Sequence, residues 1–436
     1  MVTSLVVGRV NMNLARRIDT WGGLLISAAL FAASRVVSLF GGRRLPPMRA
    51  TTPPKPGAPP LRPRRILAIK FYGLGNIVMV IPVVQALREA LPGAEVDFLT
   101  LEENCTLLER SGLVSGVLGM TMRGYGPFLL SLWRAVQRVR ARRYDLVVDF
   151  EQFVKLSAIV AFLSGAPERI GFNTDGQRRG WLYTIRVVYT DSEHMSRIFM
   201  RLLRPLGIAE VARPVHLATE LAEVERVEDL LAAHGVVPGH FPLITVHVGS
   251  GDNFYRIPLK RWPTQNFARL CDALGERYGA AVVLTGKGAE ERALITATRA
   301  EMRRQAINMC DELSVTELLA LLARSHLVVV NDTSVMHLAA AVRTPVVAFF
   351  GPTAPLHYGP GNPEDLVLYK DLYCSPCLTN YNLKVSRCVD PVCIRTITVE
   401  EVLAGIETRF LGREAPLRRT LETRSPSARQ GRVASC

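Results

Sequence analysis

LVVVNDTSVMHLAAAVRTPVVAFFGPT, residues 327–353, reads as strand, sharp turn, helix and strand. The apolar run Leu327–Val330 stops abruptly at the polar Asn331, Asp332, Thr333 and Ser334. A helical pattern follows through Met336, Leu338, Ala339 and Ala340, and Pro345 then opens a second apolar run, Val346–Phe350. Near-continuous apolar strands alternating with helices indicate a parallel sheet covered on both faces. Ligands of such sheets bind beyond the carboxyl ends of the strands. That edge here offers Asp332, Thr333 and Ser334 as helix caps, backed by free backbone N–H groups and the positive end of a helix dipole. The arrangement suits a phosphate, with His337 one turn further in; a simply capped helix is the other reading.

Outward from this stretch, the same βα rhythm fills most of the 436 residues. Strands are expected at 65–70, 95–100, 114–118, 145–150 and 169–172, and again at 243–248, 281–285, 306–309 and 326–330. Helices are expected at 77–91, 128–140 and 154–163, then at 266–277, 289–300 and 316–323. Two consecutive doubly wound α/β domains, facing a cleft, account for this pattern. The expected domain bounds are 65–235 and 240–411.

The ends differ from the body. Residues 1–65 carry 11 basic side chains and one acid, Asp19, and 409–436 carry seven arginines and two glutamates. The body between them is nearly neutral, although the whole chain is +14. A nucleic-acid-binding core is therefore disfavoured, and the ends suit an anionic membrane surface. Residues 1–45 are expected to associate with a membrane, because Trp21–Phe40 is apolar apart from Arg35 and is flanked by arginines. Its length suits a bilayer span or an interfacial helix. Eight prolines in 46–63 make residues 46–64 an extended linker, and 412–436 reads as a disordered basic tail.

Several stretches together resemble glycosyltransferase family 9, the heptosyltransferase family. They are YGLGN with its following helix (72–100), YDLVVDFEQFVKLSAIVAFLSGAPERIGF (144–172), KRWP (260–263), TGKGAEERA (285–293), residues 331–353 and CSPC (374–377). The resemblance spans 66–405 in the family's order. It implies a GT-B fold of two Rossmann-like domains and an inverting transfer that uses no metal or cofactor. The acceptor would bind the first domain and the nucleotide-sugar donor the second. By the family default the donor is an ADP-sugar, the sugar a heptose, and the acceptor a lipid-linked saccharide such as lipopolysaccharide core. The protein would then act at the cytoplasmic face of the inner membrane. The resemblance further implies that Lys260 contacts the donor phosphates, that Glu290 binds nucleotide hydroxyls, and that Asp332-Thr333-Ser334-x-x-His337 stands for the family's Asp-Thr-Gly-x-x-His. Ser250 and Gly251 fall at its other phosphate loop.

One departure touches the chemistry. The family has an aspartate, its proton acceptor, where this chain has Asn76. Inverting transfer needs a group to take the acceptor's proton, and an amide does not serve. Glu151 stands where the family carries glutamine, so it is offered as a relocated base. Asn76, Asp149 and Lys155 are offered as acceptor contacts. The rival readings are a nucleotide-sugar-binding protein without turnover and, further off, a dinucleotide-dependent oxidoreductase, for which the third fingerprint glycine is missing. Cys374, Cys377, Cys388 and Cys393 have partly zinc-like spacing, with reduced structural thiols as the alternative.

Overall fold

The computed structural model describes residues 17–39, 49–50, 61–210, 215–236, 242–251, 258–382 and 384–411. The expected tail, most of the linker and the first sixteen residues lie outside them. The chain divides into two compact units: residues up to Val215 with Thr379–Val385, and His216–Leu378 with the residues from Ser386 onward.

The first unit comprises α1 (Gly23–Leu39), β1 (Arg49–Ala50), β2 (Arg65–Ile69), α2 (Leu74–Ala90), β3 (Glu95–Leu101), α3 (Glu102–Arg110), β4 (Gly116–Met120), α4 (Tyr125–Arg142), β5 (Leu146–Asp149), α5 (Lys155–Leu163), β6 (Glu168–Asn173), β7 (Ile185–Val188) and α6 (Met195–Met200). Its seven strands run β1-β7-β6-β5-β2-β3-β4, all in parallel register. Ile66, Leu67, Ala68, Ile69, Val147 and Val148 are fully buried, which is why these strands read as unbroken apolar runs rather than alternating ones. Between β2 and β5 the strand order reverses, and a crevice forms at such a point.

The second unit comprises α7 (Leu221–Ala233), β8 (Leu243–His247), α8 (Thr264–Tyr278), β9 (Ala281–Gly286), α9 (Gly288–Glu301), β10 (Ile307–Cys310), α10 (Val315–Arg324), β11 (Leu327–Asn331), α11 (Ser334–Ala341), β12 (Val346–Phe350), α12 (Pro355–Tyr358), β13 (Leu366–Tyr369), α13 (Val392–Arg395) and α14 (Val399–Ile406). The parallel order is β10-β9-β8-β11-β12-β13. Its reversal lies between β8 and β11, so the polar stop at Asn331–Ser334 falls at the switch point. An aromatic core supports this edge: Trp262 stacks on Phe349 with centroids 4.3 Å apart, and Phe267 meets both edge-on.

Two expectations change. Helix α7 falls inside the expected first domain (65–235) yet belongs to the second unit, because Val227 and Leu231 bury against Leu243, Val283, Ala320 and Leu321. The N-terminal apolar segment forms a 17-residue helix, and among the described residues no helix is long and apolar enough to cross a membrane. Instead, α1 lies on the first unit. Leu30 joins that unit's core, Phe31 packs on Trp181 with ring centroids 5.9 Å apart, and Gly23 sits against the Lys155 side chain. Just ahead of α1, the Asp19 carboxylate accepts the backbone N–H groups of Lys155 and Leu156 at 2.9–3.1 Å, capping α5 from outside its own sequence.

Candidate functional site

In the second unit, the residues that the sequence groups as donor contacts meet at the β8–β11 switch point. Lys260 ends a short 3-10 turn, Pro258–Lys260. Its Nζ lies 2.5 Å from Asp332 Oδ2, and both side chains are buried. Thr353 Oγ1 donates to the same carboxylate oxygen at 2.6 Å. The turn is held rigidly by its neighbour Trp262, whose backbone N–H donates to Asn331 Oδ1 (2.9 Å) and whose indole donates to the Ile397 carbonyl (2.8 Å). Asn331 in turn donates to the Val248 and Gly249 carbonyls. One buried amide thus ties the turn before α8 to the loop after β8 and to the end of β11. Thr333 is the N-cap of α11 and accepts from Val335 N. Ser334 opens that helix and His337 is buried one turn in.

Ser250 and Gly251 follow β8. Arg261 Nε donates to Ser250 Oγ at 2.9 Å, and Arg261 Nη2 meets Glu290 Oε1 at 2.8 Å. Glu290 is exposed at the start of α9, open to a ligand. Its neighbour Glu291, which the sequence reading passed over, points inward. It accepts from Gly251 N (3.0 Å) and Lys287 N (2.8 Å) and lies 3.4 Å from His247 Nε2. Burial pushes the Glu291 carboxyl up, but His247 and these two amides outweigh it and hold the group down at about 2. A Cβ on Gly249 would fall 2.0 Å from Glu291 Oε1, so only glycine admits this carboxylate under the loop. The paired glycines at 249 and 286, both pressed against Glu291, are the signal that could have found it.

In the first unit, the expected residues Asn76, Asp149, Glu151 and Lys155 gather at the β2–β5 switch point, but the last three turn inward. Glu151 is fully buried. Its Oε2 pairs with Lys70 Nζ at 2.7 Å, while Oε1 accepts the backbone N–H groups of Phe71 (2.8 Å) and Tyr72 (3.0 Å). Burial pushes the Lys70 ammonium down, opposed by Glu151. Asp149 is equally buried. It accepts from Arg179 (2.9 Å) and Tyr183 (2.6 Å) through Oδ2 and from Glu151 N through Oδ1. Burial raises its carboxyl, against the pull of Arg179. Lys155 is buried too, donating to Gln177 Oε1 at 3.2 Å. The expectation that Asp149 and Lys155 present themselves to an acceptor therefore changes: in this structure they are internal struts. Glu151 likewise offers no free lone pair toward solvent. Asn76, in the first turn of α2, remains partly exposed at the glycine turn, and its Oδ1 has no hydrogen-bond partner among the described residues.

Cys374, Cys377, Cys388 and Cys393 are free thiols. Among the described residues no group of side chains is arranged to hold a metal ion.

The family model described as Glycosyltransferase family 9 (heptosyltransferase) matches residues 132–385. Lipopolysaccharide heptosyltransferase 2 of Salmonella typhimurium is 27% identical over 299 residues, covering 67% of this chain and 84% of that protein. A solved family 9 glycosyltransferase from Veillonella parvula superposes with a TM-score of 0.67 at 21% identity, covering 79% of this chain and 96% of the other. The ADP-heptose LPS heptosyltransferase II of E. coli gives 0.63 at 22% identity, with 80% and 100% covered. The fold is accordingly of GT-B type, with two Rossmann-like domains.

Proposed function

Since this chain belongs to glycosyltransferase family 9, the heptosyltransferase family, and is a glycosyltransferase, we propose that it transfers a heptose from ADP-heptose to a lipid-linked saccharide of the lipopolysaccharide core type. The reaction is a single displacement. The acceptor oxygen forms a bond to the anomeric carbon as the bond to the nucleoside diphosphate breaks, with inversion and without a metal. The observation that carries this reading is the Lys260–Asp332 pair beside the N-terminus of α11, at the switch point of the second sheet. Lys260, oriented by Asp332, offsets the charge that builds on the leaving diphosphate. The first amides of α11, with Thr333 and Ser334, and the loop at Ser250–Gly251 receive the phosphates. His337 supports that end of the helix, and Glu290 takes the ribose hydroxyls. The membrane supplies the acceptor, which puts the enzyme at the cytoplasmic face of the inner membrane.

In this reading Glu151 holds the glycine turn at Phe71–Tyr72, and Asn76 orients the acceptor hydroxyl by hydrogen bonding. A second reading, a nucleotide-sugar-binding protein without turnover, is favoured by Asn76 together with the buried state of Glu151. Purified full-length protein separates the two. Thermal shift against ADP-, UDP-, GDP- and dTDP-sugars reads the donor, and nucleotide release with a lipid saccharide acceptor reads transfer. Stabilisation by ADP-heptose with acceptor-dependent ADP release supports the transferase. Stabilisation without release under any acceptor supports the binding protein. No stabilisation by any nucleotide-sugar refutes both.

A further inference from the structure

Outside its ends the chain is nearly neutral, but one helix face is not. From Ser111 to Tyr144 the sequence has six arginines and no acid. Five of them lie on α4 or directly after it. The inner stripe of α4 is ordinary: Ala135 and Val139 are buried, and Leu132 and Val136 pack on the same core. The outer face is unusual. Leu129, Leu130 and Trp133 are 61%, 47% and 60% exposed, one turn apart on the helix surface. Single exposed apolar residues are common, but three adjacent ones including a tryptophan mark a contact surface.

The charge beside this patch says what covers it. Arg134 and Arg138 follow Leu130 at i+4 and i+8 and have no ion-pair partner among the described residues, whereas Arg123 and Arg142 have Glu102 and Asp97. With Leu118, Pro127 and Leu130, these two arginines wall an open pocket of about 250 Å³ between α4 and the edge strand β4. The only acid on its rim is Glu102. Apolar tips next to unpaired guanidinium groups fit the boundary between acyl chains and phosphate headgroups, where amphipathic helices with Trp, Leu and Arg settle.

We propose that the outer face of α4 docks the protein on an anionic phospholipid bilayer. Trp133, Leu129 and Leu130 enter the acyl boundary, and Arg134 and Arg138 bind lipid phosphates. The contact depends on neither the sugar nor the nucleotide, so its failure and that of the transferase reading are distinguishable.

The test is co-sedimentation of the full-length protein with vesicles of phosphatidylcholine alone or with added phosphatidylglycerol, alongside donor thermal shift as a check on folding. Each arginine near an anionic surface is worth about 1 kcal/mol, roughly fivefold in partitioning. Arg134→Ala/Arg138→Ala is therefore expected to weaken binding to phosphatidylglycerol vesicles by about 30-fold. Leu129→Ser/Trp133→Ser is expected to weaken it by at least roughly tenfold. The wild type should show a vesicle-induced blue shift in tryptophan emission that Trp133→Phe removes. Both double variants should keep their response to donor. Unchanged partitioning in both double variants would overturn the proposal and assign lipid binding to the basic ends. A concentration-dependent dimer abolished by Leu129→Ser/Trp133→Ser, with no lipid binding by the wild type, would overturn it in favour of a second copy.

Discussion

Replacing Glu151 with glutamine separates a clamp from a base. The side chain keeps its shape, and its amide oxygen still accepts from Phe71 N and Tyr72 N, but Lys70 loses its only carboxylate at 2.7 Å. Breaking a fully buried ion pair by removing one partner costs about 3–5 kcal/mol. A ceiling follows from Lys70 itself. Deprotonating a lysine of ordinary value 10.5 at pH 7 costs about 5 kcal/mol, and burial has already moved this group part of the way. Calorimetry should place the Glu151→Gln transition roughly 6–20 °C lower, at 2–4 °C per kcal/mol for a domain of this size. The sign with pH follows as well. Neutral in the folded variant and charged when unfolded, Lys70 binds more protons in the unfolded state, so the defect shrinks as pH rises from 7 toward 10. Lys70→Met/Glu151→Gln should recover most of the loss, because the orphaned charge is gone. A Glu151→Gln protein that melts within about 2 °C of the wild type, yet loses transfer a hundredfold or more, would refute the clamp and restore Glu151 as the proton acceptor.

Lys260→Ala should lower kcat about 10²–10³-fold in a nucleotide-release assay while acceptor KM stays close to that of the wild type; an unaltered kcat would remove Lys260 from the chemistry. Glu291, held at about 2 against an ordinary 4.5, contributes roughly 3 kcal/mol of stability. Its depressed value means that this contribution is present above pH 4.5 and lost as pH falls toward 2. Glu291→Gln should flatten that part of the acid-denaturation curve, and an unchanged curve would contradict the assignment. Asp19→Ala should cost about 1 kcal/mol as a lost helix cap and speed amide exchange at Lys155 and Leu156; unchanged exchange there would show that α5 needs no external cap.

The architecture was largely legible because fully buried parallel strands leave continuous apolar runs such as Leu327–Val330 and Val346–Phe350. Strands β7 and β13 were not picked out: burial is interrupted along β7 and only partial along β13. Helix α7 was misallotted because its partners, Ala320 and Leu321, lie about ninety residues away. The same two-sided burial that reveals the strands conceals direction at their ends. Without an alternating pattern, nothing in DFEQ says whether Asp149 and Glu151 face solvent or the interior, and the deciding partners, Arg179 and Lys70, are remote in sequence. Glu290 and Glu291 show the same limit on a helix, where one residue of rotation separates an exposed carboxylate from a buried one. Lys260, singled out by resemblance, and Asp332, which stands at the abrupt polar stop after an apolar strand, do meet in space.

The contacts of α1 with Lys155 and Trp181 set a schedule for synthesis. The helix is made some 140 residues before Trp181. At about 5–20 residues per second, that is a wait of roughly 7–30 seconds. Until Lys155 and then Trp181 have been made, the set of partners that covers the helix is incomplete. Helix α1 is thus made well before the residues that cover it, and a nascent chain stalled before residue 155 would lack both of these partners.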